Sequence, residues 1–168
     1  MLKSNNKGFT LIELLIVIAV IAILAAVVFV ALDPLTRFRD ARDSRRWADI
    51  TEELNAIKVD QIDNGGTYLS AIGATTAGNV YMVTDGVVAS GCDDQNAFCD
   101  TNVTSDTSCV DLSGLVNEGY LGDIAVSPNG EGTWTSSLTG FTLQRGSTGI
   151  ITIRACESEN TTEIWVAR

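Results

Sequence analysis

The sequence LLIVIAVIAILAAVVFVAL, residues 14–32, is an unbroken run of 19 apolar residues near the start of a 168-residue chain. At a rise of about 1.5 Å per residue, a helix of this length spans about 29 Å, close to the thickness of the hydrocarbon core of a bilayer. A helix buried inside a soluble domain rarely lacks a polar face over five turns. The run is also longer than the apolar core of a cleaved secretory signal. We therefore predict a retained, single-pass transmembrane helix.

Charged residues are distributed unevenly along the rest of the chain. Residues 33–58 hold 6 acids and 6 bases, whereas residues 59–168 hold 14 acids and only 3 bases, a net charge of −11. Binding to nucleic acid requires clustered Lys and Arg, so we expect no nucleic-acid binding by the C-terminal part. Histidine is absent, which removes the commonest general base and the usual nucleophile pairs. We therefore expect that the protein is not an enzyme.

The four cysteines all lie in the acidic C-terminal part, at Cys92, Cys99, Cys109 and Cys156. An even number of cysteines in a small segment, without a Cys-x-x-Cys pair, favours disulfides over a zinc site. Three pairings are possible. We favour Cys92–Cys99, which closes a small loop, with Cys109–Cys156, which ties the loop region to a central strand.

Residues 33–64 continue the helix with an amphipathic pattern. Apolar residues recur there at helical spacing, at Trp47, Ile50, Leu54 and Ile57. The pairs Arg39–Asp43 and Arg45–Asp49 are each four residues apart and predict ion pairs on a solvated face. The sequence Asn64-Gly65-Gly66 is a typical helix stop signal. We predict one spine helix from about Phe9 to Asp63.

The remaining sequence indicates a small head. Residues 65–110 are rich in Gly, Ser, Thr, Asn and Asp and predict a long connecting loop, with β-like runs at Val80–Thr84 and Val87–Ala89. Residues 111–168 predict one short helix and an antiparallel meander, with a hairpin turn over residues 146–149. The strand candidates are Gly140–Arg145, Ile150–Ala155 and Thr162–Arg168. The predicted fold class is α+β, a long N-terminal helix packed on a small antiparallel sheet.

The residues before the apolar run, Lys7-Gly8-Phe9-Thr10-Leu11-Ile12-Glu13, carry a more specific pattern. A basic leader and a Gly-Phe junction are followed by Thr, two aliphatic residues and Glu. This segment resembles the type III signal sequence of type IV pilins and type II secretion pseudopilins. The resemblance implies a leader peptide over residues 1–8, cleavage by prepilin peptidase between Gly8 and Phe9, and N-methylation of Phe9. It also implies the pilin fold, with residues 65–110 as the variable αβ-loop region and a C-terminal disulfide-bounded region.

The resemblance gives residues 9–32 a second role, as the helical core of a filament. It implies that Glu13 of an arriving subunit meets the Phe9 amine of a subunit already assembled. Two opposite charges compensate each other in apolar surroundings, and removing one partner strands the other at a cost of about 3–5 kcal/mol. On the residues alone, Glu13 can equally be an acid favoured by the helix N-terminus at the membrane surface.

Pilins often carry Gly and Pro inside this helix, where the present chain has Ala22 and Val30. We therefore expect a more continuous membrane helix, with its kink near Pro34.

The expected function is that of a structural subunit of a type IV pilus. A pseudopilin of a type II secretion system is the alternative within the resemblance, and a single-pass membrane-anchored binding or sensor domain is the alternative from another class. The expected partners are further copies of the chain, prepilin peptidase, the pilus assembly platform protein, a cytoplasmic ATPase, minor pilins and the membrane. The expected location is the inner membrane for the precursor and a cell-surface or extracellular filament afterwards.

An acidic loop is a further candidate site, formed by Asp93, Asp94, Asp100, Asn102 and Asp106. Some secretion pseudopilins bind calcium in their heads, but the Asp-x-Asp-x-Asp-Gly pattern of a calcium loop is absent here. We favour a solvated acidic loop and expect no cofactor, with calcium as the alternative.

Overall fold

The computed structural model describes residues 8–168, and the chain divides into two compact units, one ending at Phe38 and the other beginning at Arg39. The first unit contains α1 (Leu11–Leu32) and the first residues of α2 (Pro34–Asp63). The second contains the rest of α2 and the head. The predicted leader lies outside the described residues, except for Gly8.

Helix α1 is apolar on all sides, with Glu13 as its one charged residue and no buried side chain. Beginning at Leu11, the helical stretch is long and apolar enough to cross a membrane. It runs without a break past Ala22 and Val30 and stops at Asp33, whose φ of 37° lies in the left-handed region. A residue before proline is disfavoured in the right-handed helical conformation, which explains the break. The expected continuity and the predicted position of the interruption are both confirmed.

Within the head, α2 buries three of the four residues of the predicted apolar stripe, whereas Trp47 stays 40% exposed. Ile50, Leu54 and Ile57 are each at most 2% exposed and lie four and three residues apart, on one helix face. The helix ends at Asp63, and the following Gly66 has a φ of 95° and donates its N–H to the Gln61 carbonyl at 2.7 Å. The stop signal therefore acts as predicted, because glycine adopts positive φ without steric cost.

The head sheet has five strands in the spatial order β2-β1-β3-β4-β5. Strands β3, β4 and β5 form the predicted antiparallel meander, and β1 runs antiparallel to β3. Strand β2 is parallel to β1, so the sheet is mixed and the expectation of a purely antiparallel sheet is wrong. The α+β class is confirmed. The strand bounds are β1 Val80–Thr84, β2 Cys109–Asp111, β3 Phe141–Arg145, β4 Ile151–Ala155 and β5 Trp165–Ala167.

Residues 65–110 hold more regular structure than a connecting loop. They include α3 (Ser70–Gly73), β1, a 3-10 turn (Asn96–Phe98) and the start of β2. The predicted run Val80–Thr84 is β1, but Val87–Ala89 forms no strand. Strand β2 escaped prediction because it is three residues long and pairs with a strand distant in sequence, which leaves no local pattern.

The rest of the head follows the sequence closely. The predicted short helix is α4 (Ser113–Asn117). The three C-terminal strand candidates match β3, β4 and β5 to within three residues at each end. In the predicted hairpin turn, the Gly146 N–H donates to the Ile150 carbonyl at 2.7 Å.

One hydrophobic core joins α2 to the sheet within the head. The core includes fully buried side chains from α2, β3 and β4: Ile50, Ile57, Phe141, Leu143, Ile151 and Ile153. Burying each such side chain contributes about 1.5–3 kcal/mol. A second, smaller cluster brings Met82, Val103 and Trp134 together with Cys92 and Cys156.

Candidate functional site

The predicted processing residues precede the first turn of α1. Gly8 and Phe9 are non-helical and exposed, and Phe9 keeps 86% of its surface accessible. An exposed, non-helical junction is the form of backbone that a peptidase can bind. Cleavage between these residues and methylation of Phe9 stay predictions.

Thr10 and Glu13 form a reciprocal cap at the N-terminus of α1. The Thr10 hydroxyl accepts a hydrogen bond from the Glu13 N–H at 3.3 Å, while Glu13 Oε2 accepts from the Thr10 N–H at 3.0 Å and from its hydroxyl at 2.9 Å. This arrangement satisfies donors that a helix N-terminus otherwise leaves unpaired. It holds the Glu13 carboxylate over the first turn of α1, close to the Thr10 backbone N–H. In the isolated chain Glu13 thus acts as an N-terminal helix acid, and its pairing with another subunit's amine stays a prediction.

The four cysteines form two disulfides, but with a different pairing from the favoured one. The bonds are Cys92–Cys109 and Cys99–Cys156, so the predictions Cys92–Cys99 and Cys109–Cys156 are wrong. The two bridges cross in sequence, since each encloses one cysteine of the other.

Backbone contacts explain this pairing. The Asp100 N–H donates to the Cys156 carbonyl at 2.7 Å, which brings the chain after the 3-10 turn against the end of β4. On the other side, the Cys92 N–H donates to the Asp106 carbonyl at 2.9 Å, close in sequence to Cys109 at the start of β2. The loop therefore brings Cys99 to Cys156 at the end of β4 and Cys92 to Cys109 at the start of β2.

An ionic cluster around Arg46 was not predicted from the sequence. The Arg46 side chain is 0% exposed and its guanidinium reaches both the C-terminal loop and the turn after residue 126. Five groups accept its hydrogen bonds, at 2.8 to 3.3 Å: Asp43, Ser127, the Pro128 carbonyl, Glu157 and Glu159. Charged groups buried in this way are stable only when their partners are complete.

The carboxylates of the cluster are themselves well satisfied. Glu157 accepts from the backbone N–H groups of Glu131 and Gly132 and from Trp134 Nε1 at 2.9 Å. Glu159 pairs with Arg42, and the hydrogen bond from this arginine, together with Arg46, lowers the pKa of Glu159 to about 2. The cluster clamps α2 to residues 127–132 and 157–160.

The clamp changes the predicted ion pairs of α2. The Arg45–Asp49 pair is present, at 3.5 Å, but Asp43 pairs with Arg46 rather than with Arg39. The spacing of three residues between Asp43 and Arg46 was the available signal.

A further buried ionisable group lies later in α2, at Glu53. Its side chain is buried, and neither carboxyl oxygen has a described donor in normal hydrogen-bond geometry, although the Ala125 N–H makes a looser contact with the carboxyl group. Burial, with the nearby negative charge of Asp49, raises the pKa of Glu53 to about 8, although the Ala125 N–H acts in the opposite direction. In the isolated chain the Glu53 carboxyl is therefore mainly protonated at neutral pH.

The acidic loop is only partly assembled. Carboxyl oxygens of Asp93, Asp94 and Asp106 lie within 4.8 Å of one another, but Asp100 bonds to Ser158 instead. Asp94 and Asp106 are exposed, and an exposed acidic group is common without an ion. The expectation of a solvated loop without a cofactor, with calcium as the alternative, stays a prediction.

Comparison with known proteins bears on the N-terminal residues. Residues 3–29 match a family model described as the prokaryotic N-terminal methylation motif. No curated protein and no solved structure matches the chain. The matched segment contains the Gly8–Phe9 junction, Glu13 and most of α1. Joined to a pilin-like α+β architecture, residues 3–29 identify the chain as one that carries the signal sequence of type IV prepilins and pseudopilins.

Proposed function

We propose that the chain is the precursor of a structural subunit of a type IV pilus. Prepilin peptidase removes residues 1–8, Phe9 is N-methylated, and the mature chain polymerises through α1. The observation that carries the proposal is the methylation motif over residues 3–29, which leads directly into the apolar helix α1.

The chemistry of α1 suits a helix that exchanges lipid for protein neighbours. Apart from Glu13 its side chains are apolar, so moving from lipid to a helical filament core changes its hydrophobic surroundings little. Packing and the remaining charge then decide the arrangement. Ala22 and Ala26, one turn apart, permit close approach of a neighbouring helix, and Glu13 provides the charge that an α-amine neutralises.

The head has a structural role in this proposal. The acidic C-terminal residues give the filament a negative surface, and two disulfides with the Arg46 clamp hold the head together without catalysis. Polymerisation would use the assembly platform protein, the cytoplasmic ATPase and minor pilins. A pseudopilin of a type II secretion system is the second candidate, because the same motif serves both classes.

The first test is the mass of the N-terminal peptide of the protein purified from its native cells. We expect N-methyl-Phe9 as the first residue. An intact Met1 or Leu2 terminus would contradict the proposal and favour a membrane-anchored binding or sensor domain. Filaments sheared from the cell surface and rich in this chain would support the pilus, whereas filaments confined to the periplasm would support the pseudopilin.

A pair of substitutions separates the assembly role of Glu13 from its capping role. Glu13→Gln removes the negative charge, and we expect normal cleavage but loss of filaments. Thr10→Ala removes the hydroxyl partner of the cap and keeps the acid, so we expect filaments in normal amounts. Normal filament yield from Glu13→Gln would overturn the proposed pairing with the Phe9 amine.

A further inference from the structure

A cleft of about 370 Å³ lies between α2 and residues 121–126. Helix α2 contributes Asp49, Glu52 and Glu53 to its lining, and the facing segment contributes Asp123. Arg45 is the one basic residue of this lining. The described lining of the cleft therefore contains four carboxyl groups and a single cation.

Three buried oxygens in two of these carboxyl groups, Glu53 and Asp49, lack a hydrogen bond of normal geometry within the described structure. Glu53 is only 1% exposed, yet neither of its oxygens has a donor in normal hydrogen-bond geometry, and the Ala125 N–H makes only a looser contact with the group. Asp49 Oδ2 also accepts no hydrogen bond and has only a long contact, 3.5 Å, to Nε of the exposed Arg45. Buried carboxyl oxygens in native proteins are nearly always satisfied, and an unpaired one costs about 1–3 kcal/mol or more. The unsatisfied oxygens of Glu53 and Asp49 therefore point to a cation that binds between them.

The spacing of the two groups is suited to one ion. Asp49 and Glu53 are four residues apart on α2, so their side chains lie on the same face with about 5–6 Å between their Cβ atoms. Like charges at this spacing repel each other, and a cation between them reverses the effect. Glu52 and Asp123 add negative charge at the edge of the same cleft.

We propose that this cleft binds a divalent cation of the calcium type, with Asp49 and Glu53 as its carboxylate ligands. Ca²⁺ accepts six to eight oxygens in flexible geometry, including carboxylates, carbonyls and water, which an open cleft can supply. Mg²⁺ requires a stricter octahedron and fits such a site less well. The ion would join α2 to residues 121–126, which lie on the other wall.

The inference is separate from the acidic loop and from the pilus proposal. The loop acids Asp93, Asp94 and Asp106 form a cluster without a buried, unpartnered oxygen, so they supply a control of similar charge. Binding at the cleft depends on the head and not on cleavage of the leader.

The test is calorimetric titration of the full chain in detergent micelles at pH 8, after removal of metals with EDTA, using CaCl₂ and MgCl₂. We expect saturable binding of Ca²⁺, weaker binding of Mg²⁺ and a Ca²⁺-dependent rise in Tm. Glu53→Gln and Asp49→Asn should each weaken Ca²⁺ binding at least tenfold. The double variant Asp93→Asn/Asp94→Asn should retain the affinity that those variants lose.

Two results would overturn the proposal: no saturable Ca²⁺ binding by the unmodified chain, or binding that survives both cleft substitutions and is lost in the loop variant. Circular dichroism of each variant establishes that it is folded. If Glu53→Gln does not fold, the Asp49→Asn variant decides the question. Asp49 is less buried than Glu53, and asparagine has almost the same side-chain volume as aspartate.

Discussion

Helix α2 buries four ionisable side chains, Asp43, Arg46, Glu53 and Asp60, and two of them, Arg46 and Glu53, lie two helical turns apart. Both are removed from solvent to almost the same degree, at 0% and 1% exposure. Arg46 has five acceptors around it, whereas neither oxygen of Glu53 has a donor in normal hydrogen-bond geometry among the described residues. The comparison shows that burial alone does not define the state of an ionisable group. Its neighbours decide whether the charge is kept, suppressed or left for a ligand.

The pKa of Glu159, which pairs with Arg46, and the pKa of Glu53 are shifted in opposite directions. Arginine neighbours lower the pKa of Glu159 in the clamp to about 2, whereas burial raises the pKa of Glu53 to about 8. The surroundings of Arg46 therefore favour the ionised form of a carboxyl group, whereas the surroundings of Glu53 disfavour it.

The largest expected effect on stability comes from removing the charge of Arg46. Arg46→Met keeps an unbranched apolar stem but strands the carboxylates of Asp43, Glu157 and Glu159, so we expect the free energy of unfolding to fall by about 3–5 kcal/mol. The matched control is Arg45→Met, since the adjacent Arg45 side chain is 67% exposed and should change stability by no more than about 0.5 kcal/mol. Urea denaturation of the full chain in micelles measures both. Equal losses for the two variants would contradict the assignment.

The next effect concerns the two disulfides. One of them involves Cys156, which directly precedes Glu157 of the clamp. The Cys99–Cys156 bridge spans 57 residues and the Cys92–Cys109 bridge spans 17. In the chain-entropy model their removal costs about 4 and about 3 kcal/mol, respectively. We therefore expect Cys99→Ala/Cys156→Ala to have a lower Tm than Cys92→Ala/Cys109→Ala. The reverse order would show that loop length is not the dominant factor.

The third prediction concerns Glu53, whose contribution to the stability of the fold should decrease as pH rises. Glu53 binds its proton more tightly in the folded chain, so its stabilising contribution is complete below pH 4.5 and is lost as pH rises towards 8. The loss amounts to a few kcal/mol. Without divalent cations, Glu53→Gln should therefore unfold at a higher urea concentration than the unmodified chain at pH 9 and show a flatter profile. Glu118→Gln, at an exposed position outside the cleft, should leave the pH profile unchanged, and a flattened profile in that variant would contradict the role of Glu53.

The smallest expected effect is the acid response of the clamp. The lowered pKa of Glu159 stabilises the fold above pH 4.5, and this contribution disappears as pH falls towards 2. Its size is about 1–2 kcal/mol, since the side chain keeps some exposure to solvent. Glu159→Gln should remove this part of the acid transition, whereas Glu163→Gln, in the more exposed pair with Arg154, should retain it. Identical acid profiles for the unmodified chain and Glu159→Gln would contradict the prediction.

Local patterns in the sequence predicted most of the fold. The apolar run of α1, the stripe through Ile50, Leu54 and Ile57, and the glycines after Asp63 each act within a few residues. The hairpin between β3 and β4 is equally local. Such features are readable because their spacing reflects the geometry of one element.

The features that escaped prediction all depend on contacts distant in sequence. Arg45 and Arg46 are adjacent and chemically identical, and only the position of residues 127–132 and 157–160 makes one exposed and the other buried. The same holds for the disulfides, where the path of the loop brings Cys99 to Cys156. Glu53 lies within the helical stripe, but its burial against residues 121–126 has no counterpart in the local pattern.

The crossed arrangement of the two disulfides has a consequence for digestion by proteases. A single backbone cut anywhere between residues 92 and 156 leaves both pieces joined by at least one bridge. Sequential pairing would instead release the C-terminal piece after a cut between residues 99 and 109, within an exposed segment where nicking is most common. A nicked head therefore stays covalently whole until a reductant reaches it.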